Sequence, residues 1–192
     1  MIVNFITISA PSGSGKTTLC KALQEVVRDI KWSISYTTRE KRHIERDGVD
    51  YHFISKNEFK KMIKNDSFSE WESVHGNYYG TSKDDLQYII KNNSLLLLET
   101  DVKGAMAIAK QYPESTVSIF VMPPSIDTLR ERLFNRGTDS AEEIEKRLNR
   151  FKEEMEYKDK FDYIIVNNNF ELAKIDLINK VTKIKKGVCN GT

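Results

Sequence analysis

The chain is poor in the residues that build disulfide frameworks, metal clusters and membrane spans. Its 192 residues include two cysteines, Cys20 and Cys189. They lack paired spacing, which excludes a disulfide framework or a zinc site and fits a reducing compartment. The three histidines, His43, His52 and His75, are scattered without ligand spacing and read as surface or structural residues. No segment approaches the ~20 apolar residues that a membrane span needs. The N-terminal apolar stretch has no basic region before it and is interrupted by Asn4 and Thr7, so the expectation is a cytoplasmic protein with no membrane partner. A net charge of only +2 leaves no broad electrostatic footprint for nucleic acid. Lys174, Lys180, Lys183, Lys185 and Lys186 read as a solvated last helix and tail. There is no internal repeat or low-complexity linker, and the length fits one main domain with room for insertions.

What is present is concentrated near the start. Ala10-Pro11-Ser12-Gly13-Ser14-Gly15-Lys16-Thr17 follows the apolar run Phe5–Ile8 and precedes a helical pattern at Leu19, Ala22, Leu23, Val26 and Val27. Buried strand, small-residue turn and helix N-terminus together make a phosphate-binding loop. Backbone N–H groups of such a turn cradle phosphate oxygens, and the helix dipole adds partial positive charge. Lys16 would reach the β- and γ-phosphates, and the Thr17 hydroxyl would ligate Mg²⁺. Ala10 stands where the motif usually has its first glycine, which is tolerable if its φ is negative.

Four apolar runs read as buried strands: Phe5–Ile8, Leu95–Leu98, Val117–Val121 and Tyr163–Val166. Helical patterns over Val102–Tyr112, Ile126–Asn135 and Glu171–Ile184 follow the last three. Strands alternating with helices predict an α/β fold with a parallel sheet covered on both faces. Two regions break the alternation. Residues 34–82 are polar, aromatic and strand-like (Ile34–Thr38, Tyr51–Ile54, Glu70–Val74, Tyr78–Tyr79), with one helix opened by the capping box Ser55-Lys56-Asn57-Glu58. Residues 130–157 are charged and helical, with a second capping box at Ser140–Glu143. Insertions of this kind can close over a ligand at the C-terminal ends of parallel strands.

Several polar groups then have two readings each. Arg39 and Arg42, with Tyr51 and Tyr79 to add hydroxyls, could converge on one phosphate dianion, or could be a surface basic run with Lys41 and Arg46. Glu70 could accept from the N1–H and N2 amine of guanine, with Ser35 and Thr81 serving O6 or N7, or could be an edge-strand glutamate. Glu99-Thr100-Asp101 ends the most apolar strand, where acids suit Mg²⁺ coordination beside Thr17 and Asp101 equally suits a helix N-cap. Arg132 and Arg136 share one helix face and Arg147 and Arg150 another, as a lid closing on a transferring phosphoryl group would require. A solvated helix face is the reading for Arg130 and Arg150.

Taken in order, these blocks resemble guanylate kinase over nearly the whole chain. They are Ala10–Thr17, Ser35–Arg42, Asp50–Phe53, Glu70-Trp71, Gly76–Gly80, Glu99–Gly104, Arg136-Gly137-Thr138, Arg147 and Ile165–Asn168. The resemblance implies ATP + GMP ⇌ ADP + GDP with Mg²⁺. It implies a P-loop NTPase-type parallel sheet flanked by helices, with an inserted GMP-binding subdomain and a helical lid. Within a single domain over 1–192, the core would be 1–33, 83–129 and 158–192, the GMP-binding subdomain 34–82 and the lid 130–157. Lys16, Arg42, Arg136 and Arg147 would be catalytic. Ser12, Gly13, Ser14, Gly15, Lys16, Thr17, Thr18, Arg132, Asn167 and Asn168 would bind ATP. Ser35, Arg39, Arg42, Tyr51, Glu70, Tyr79, Thr81, Glu99 and Asp101 would bind GMP or dGMP. Thr17, with Asp101 through water, would hold the metal. Asn168 and Asn169 replace residues that are often acidic beside the adenine.

Other function classes account for less. A non-catalytic scaffold related to these kinases would be expected to have a degraded phosphate loop, and Lys16 and Thr17 are intact. A GTPase switch would use Asp101–Gly104 as D-x-x-G, but N-K-x-D is absent and Arg39 and Arg42 would have no task. A kinase for another nucleoside monophosphate would have to satisfy Glu70 differently, since adenine offers it no N1–H or N2 donor. Oligomeric state, monomer or homodimer, leaves no readable pattern.

Overall fold

A computed structural model describes residues 2–74, 76–136 and 140–187. Among the residues noted above, His75, Gly137, Thr138 and Cys189 lie outside these.

The chain opens with β1 (Phe5–Ser9), α1 (Lys16–Val26) and the short β2 (Ile30–Trp32). It then builds β3 (Tyr36–Thr37), β4 (His52–Phe53), α2 (Lys56–Lys64), β5 (Phe68–Val74) and β6 (Asn77–Ser82). The alternation resumes with α3 (Lys83–Lys91), β7 (Leu95–Glu99), α4 (Val102–Gln111) and β8 (Thr116–Met122). Helices α5 (Ile126–Arg136) and α6 (Ala141–Met155) follow, then a 3₁₀ turn at Lys158–Lys160, β9 (Tyr163–Val166) and α7 (Phe170–Lys185).

Five strands form one parallel sheet in the order β2-β7-β1-β8-β9. Its central strands are buried on both faces, which is why they read as continuous apolar runs. On one face Ile6, Ile8, Leu97 and Val121 pack against Leu19 and Leu23 of α1 and Leu177 and Val181 of α7. On the other, Phe5, Leu96 and Leu98 meet Leu86 and Ile89 of α3 and Ile108 of α4. The period-two alternation of Leu96, Leu97 and Leu98 between these clusters is the strand geometry itself. Each fully buried leucine contributes about 1.5–3 kcal/mol by burial.

The second sheet has the order β4-β3-β6-β5. Here β3 pairs parallel with β4, and β6 pairs antiparallel with β3 and β5. Two strand expectations shrink: Ile34–Thr38 becomes Tyr36–Thr37, and Tyr51–Ile54 becomes His52–Phe53. The polar connection between them has its own side-chain bonds, with Asp47 accepting from the Phe53 N–H at 2.9 Å and Asp50 from the Arg46 N–H at 2.8 Å. Both capping boxes form as expected, at Ser55/Glu58 and Ser140/Glu143. Strand β2 and helix α3 went unanticipated, because three residues of β2 carry no period and α3 has only a short apolar stripe. Helix α5 begins at Ile126, so one helix runs from the core sheet into the stretch expected to be the lid.

Candidate active site

The phosphate loop is set by two left-handed glycines, Gly13 at φ 91° and Gly15 at φ 84°. Space as well as conformation demands them. A Cβ on Gly13 would lie 2.9 Å from Leu129 Cδ1, and one on Gly15 would lie 2.6 Å from Asn167 Nδ2. Ala10 has no positive φ, so its side chain costs the loop nothing. The loop delivers Gly15 as the N-cap of α1, with no side chain capping it, so the first N–H groups of that helix remain for an anion.

The parallel register pairs Ile8 with Glu99, which brings the end of β7 beside this loop. Ser9 Oγ ties the two together, donating to the carbonyls of Thr100 (3.1 Å) and Asp101 (2.8 Å). Lys16 Nζ donates to the Thr100 carbonyl at 2.9 Å and stands 4.0 Å from Glu99 Oε1. The Thr17 hydroxyl donates to the same Glu99 oxygen at 2.5 Å. Asp101 does cap α4, its Oδ1 accepting from the Gly104 N–H at 2.8 Å. Thr18 is exposed on the first turn of α1. Among the described residues no group of three or more His, Cys, Asp or Glu is arranged to hold a metal. The donors present at Thr17, Glu99 and Asp101 are all oxygens, the set that suits a Mg²⁺ completed by phosphates and water.

Above the loop, the segment after β9 meets α5 through Asn167 and Arg132. Asn167 is buried and its amide donates to the Ser14 carbonyl at 2.7 Å, while its own carbonyl accepts from Arg132 Nη2 at 3.0 Å. Asn167 therefore braces the loop, and its side chain is already engaged. Asn168 is exposed, and Asn169 caps α7 by accepting from the Leu172 N–H at 3.1 Å. Arg147, from α6, donates from Nη1 to Ser12 Oγ. Arg136 is the last residue of α5.

The second sheet faces this arrangement with a different set. A bulge between Phe68 and Glu70 changes the β5–β6 register, so that Glu70 rather than Ser69 lies opposite Thr81. Thr81 Oγ1 then donates to Glu70 Oε1 at 2.5 Å. The extra residue is clamped from α4: Ser69 Oγ donates to Gln111 Oε1 and Gln111 Nε2 to the Ser69 carbonyl, both at 2.5 Å. Gly104 backs Glu70 so closely that a Cβ there would stand 2.9 Å from Glu70 Oε2. Burial raises the Glu70 carboxyl to about 7, opposed by the Thr81 bond and assisted by Asp101. Ser35 is half-buried and its carbonyl accepts from the His52 N–H at 2.9 Å.

Arg39 lies over the rings of Tyr51 and Phe53, 5.5 and 5.7 Å from their centroids, and Tyr51 meets Tyr79 edge-on at 6.0 Å. Its Nη2 donates to Glu45 Oε1 at 2.7 Å, while Glu45 Oε2 accepts from the Arg42 N–H at 2.8 Å. Glu45 is a site residue that sequence reasoning missed. One of two acids, with Glu40, among Arg39, Lys41, Arg42 and Arg46, it gives no pattern of its own. The Arg39 hydrogen bond holds its carboxyl below the usual range. Arg42 remains largely exposed, its Nη1 4.0 Å from Glu45. Tyr51 is pushed up to about 12, chiefly by burial and next by the charge of Glu99, so the two sheets meet electrostatically at that carboxylate. Arg150 overturns the solvated-face expectation, pairing with Glu154 and reaching Asp101.

Comparison with known proteins gives this geometry a family. A family model described as "Guanylate kinase" matches residues 3–183. The chain is 46% identical over 172 residues to a guanylate kinase of Carboxydothermus hydrogenoformans, covering 90% of this chain and 84% of that one. It is 44% identical over 179 residues to a guanylate kinase of Coxiella burnetii, covering 93% and 86%. The crystal structure of guanylate kinase from Anaplasma phagocytophilum superposes with a TM-score of 0.79 at 29% identity, covering 98% of this chain and 88% of that chain. With its glycine-framed phosphate loop, its acidic β7 end and this extent of likeness, the chain belongs to the guanylate kinase family.

Proposed function

We propose that the protein phosphorylates GMP to GDP with ATP as donor, by direct in-line transfer. The observation that carries this reading is Glu70, a carboxylate raised to about 7, held by Thr81 and set against Gly104 at the start of α4. Guanine offers it two adjacent donors, N1–H and the N2 amine, and the other nucleobases do not. Arg39 and Arg42, with the Tyr51 and Tyr79 hydroxyls, take the GMP phosphate, and its dianion displaces the Glu45 carboxylate from their forks. Residues 34–82 thus serve as the acceptor-binding part and 130–157 as the lid.

The α1 N-terminus and loop N–H groups bind the ATP phosphates, and Lys16 leaves the Thr100 carbonyl for the β- and γ-oxygens. Thr17, with Glu99 and Asp101 through water, would hold Mg²⁺, which neutralises charge on the β- and γ-phosphates. Arg136 and Arg147 are assigned to the equatorial oxygens of the transferring group, with Arg132 beside ATP. The attacking oxygen of GMP is already anionic, so no side-chain base is required. Lid closure excludes water and suppresses ATP hydrolysis. A buried free Cys20 fits the cytoplasm as the setting.

The test is the pH dependence of GMP use. Guanine's donors favour the ionised Glu70, so a proton must leave when GMP binds below the carboxyl's own value near 7. The GMP KM should therefore rise as pH falls from 8 to 6, approaching about tenfold per pH unit at the acid end, with the ATP KM unchanged. Glu70→Gln should raise the GMP KM about 10- to 100-fold at pH 8 and flatten this slope to that of the GMP phosphate itself, whose second proton titrates at about 6. A slope as steep in Glu70→Gln as in the wild type would overturn the assignment.

A further inference from the structure

Arg150 is engaged at both ends of its guanidinium. Nε donates to Glu154 Oε1 at 2.9 Å on its own helix, and Nη2 reaches across to Asp101 Oδ2 at 3.3 Å. Asp101 has already committed Oδ1 to the cap of α4, so Arg150 occupies the other oxygen. Glu154 is 7% exposed; burial raises its carboxyl and Arg150 draws it back down. A counter-ion for a buried acid would be complete with the Nε bond alone. The second contact goes to a different element, at the β7–α4 junction.

Arg147 lies three residues earlier on the same face and donates to Ser12 Oγ in the phosphate loop. Helix α6 is therefore fastened at two points about 4.5 Å apart along its axis. One point is the loop and the other is Asp101. Its adjoining face, Ile144, Leu148 and Phe151, lies in one apolar cluster with Leu129 and Leu133 of α5. Apolar contact of that kind is non-directional and permits sliding, whereas a guanidinium fork on a carboxylate is directional. We propose that Arg150 is a positioning residue for phosphoryl transfer: by fastening α6 to Asp101 it sets where the Arg147 guanidinium stands over the phosphate loop. This rests on the assignment of Arg147 to the transferring group made above.

Arg150→Met alone leaves Glu154 buried without its partner, so the working variant is Arg150→Met/Glu154→Gln, with Arg150→Lys as the conservative change. The double variant should lower kcat about tenfold while the KM values for ATP and GMP stay within about threefold. Arg150→Lys, a single point charge that cannot bridge both acids, should lower kcat about threefold. Spin labels at Lys152→Cys on α6 and Glu25→Cys on α1, in a Cys189→Ser background, give a readout free of turnover. Their distance distribution should broaden in the double variant and narrow again in Arg150→Lys. An unchanged distribution, or a kcat within twofold of wild type, would overturn the proposal. So would a rise in the GMP KM at constant kcat, which would make Arg150 a servant of the acceptor site. A wild-type protein that turned over no GMP would instead overturn the function proposed above, and the label distances would then decide on the fastening alone.

Discussion

The parallel sheet and the four-stranded sheet hold their polar groups by different means. In the parallel sheet β1 is buried along its whole length, and the candidate-site groups stand at strand ends, where the N-terminus of α1 carries no side-chain cap. The four-stranded sheet has strands of two to seven residues with mixed burial, and the groups proposed to bind there are long side chains held by one another. Arg39 is held by Glu45, and Glu70 by Thr81. A backbone cradle is set by glycine conformation and one strand register. A side-chain cradle needs a bulge, a clamp from α4 and an internal counter-charge before each group points correctly. On the proposed function, the first takes any phosphate and the second selects by where its side chains are held.

Substitutions separate the two. The largest effect is expected at Lys16, where Lys16→Met should lower kcat about 10²–10³-fold with GMP affinity, measured by calorimetry, little changed. That result would confine Lys16 to the donor side; a parallel loss of GMP affinity would blur the division. A smaller effect is expected at Gln111, the α4 residue that grips the bulge. Gln111→Ala should raise the GMP KM about 2- to 10-fold through loss of two hydrogen bonds, leaving the ATP KM as it was. An equal change in both KM values would mean that the clamp supports the fold generally rather than the orientation of Glu70. The smallest effect on turnover is expected at Ser55. Ser55→Ala removes the capping box of α2 and should cost about 1 kcal/mol in thermal unfolding, with kcat unchanged.

The same contrast explains what could be read in advance. Phe5–Ile8, Leu95–Leu98 and Val117–Val121 announced the parallel sheet because burial on both faces leaves only apolar residues to choose from. Ala10–Thr17 announced the loop because its two positive-φ positions require glycine. The capping boxes at Ser55 and Ser140 are local and were equally visible. The second sheet gave less. Nothing in Ser69-Glu70 signals the bulge, since the register depends on Thr81 and Gln111, 11 and 42 positions away. The bracing of Ser14 by the Asn167 amide leaves no local pattern, because the two are 153 positions apart and β9 ends next to the loop only in the folded sheet. Arg150 read as a solvated charge because the acid it meets is 49 positions away.

The central claim is that one carboxylate on the second sheet selects the acceptor for a phosphate loop on the first. It is tested most directly by steady-state turnover with ATP, Mg²⁺ and each of GMP, AMP, CMP and UMP at pH 8. The account predicts that kcat/KM for GMP exceeds that for each of the others by at least about 10⁴-fold, as sites built to satisfy buried polar groups achieve. Turnover of AMP comparable with that of GMP would contradict it, leaving the kinase chemistry intact and the role given to Glu70 wrong.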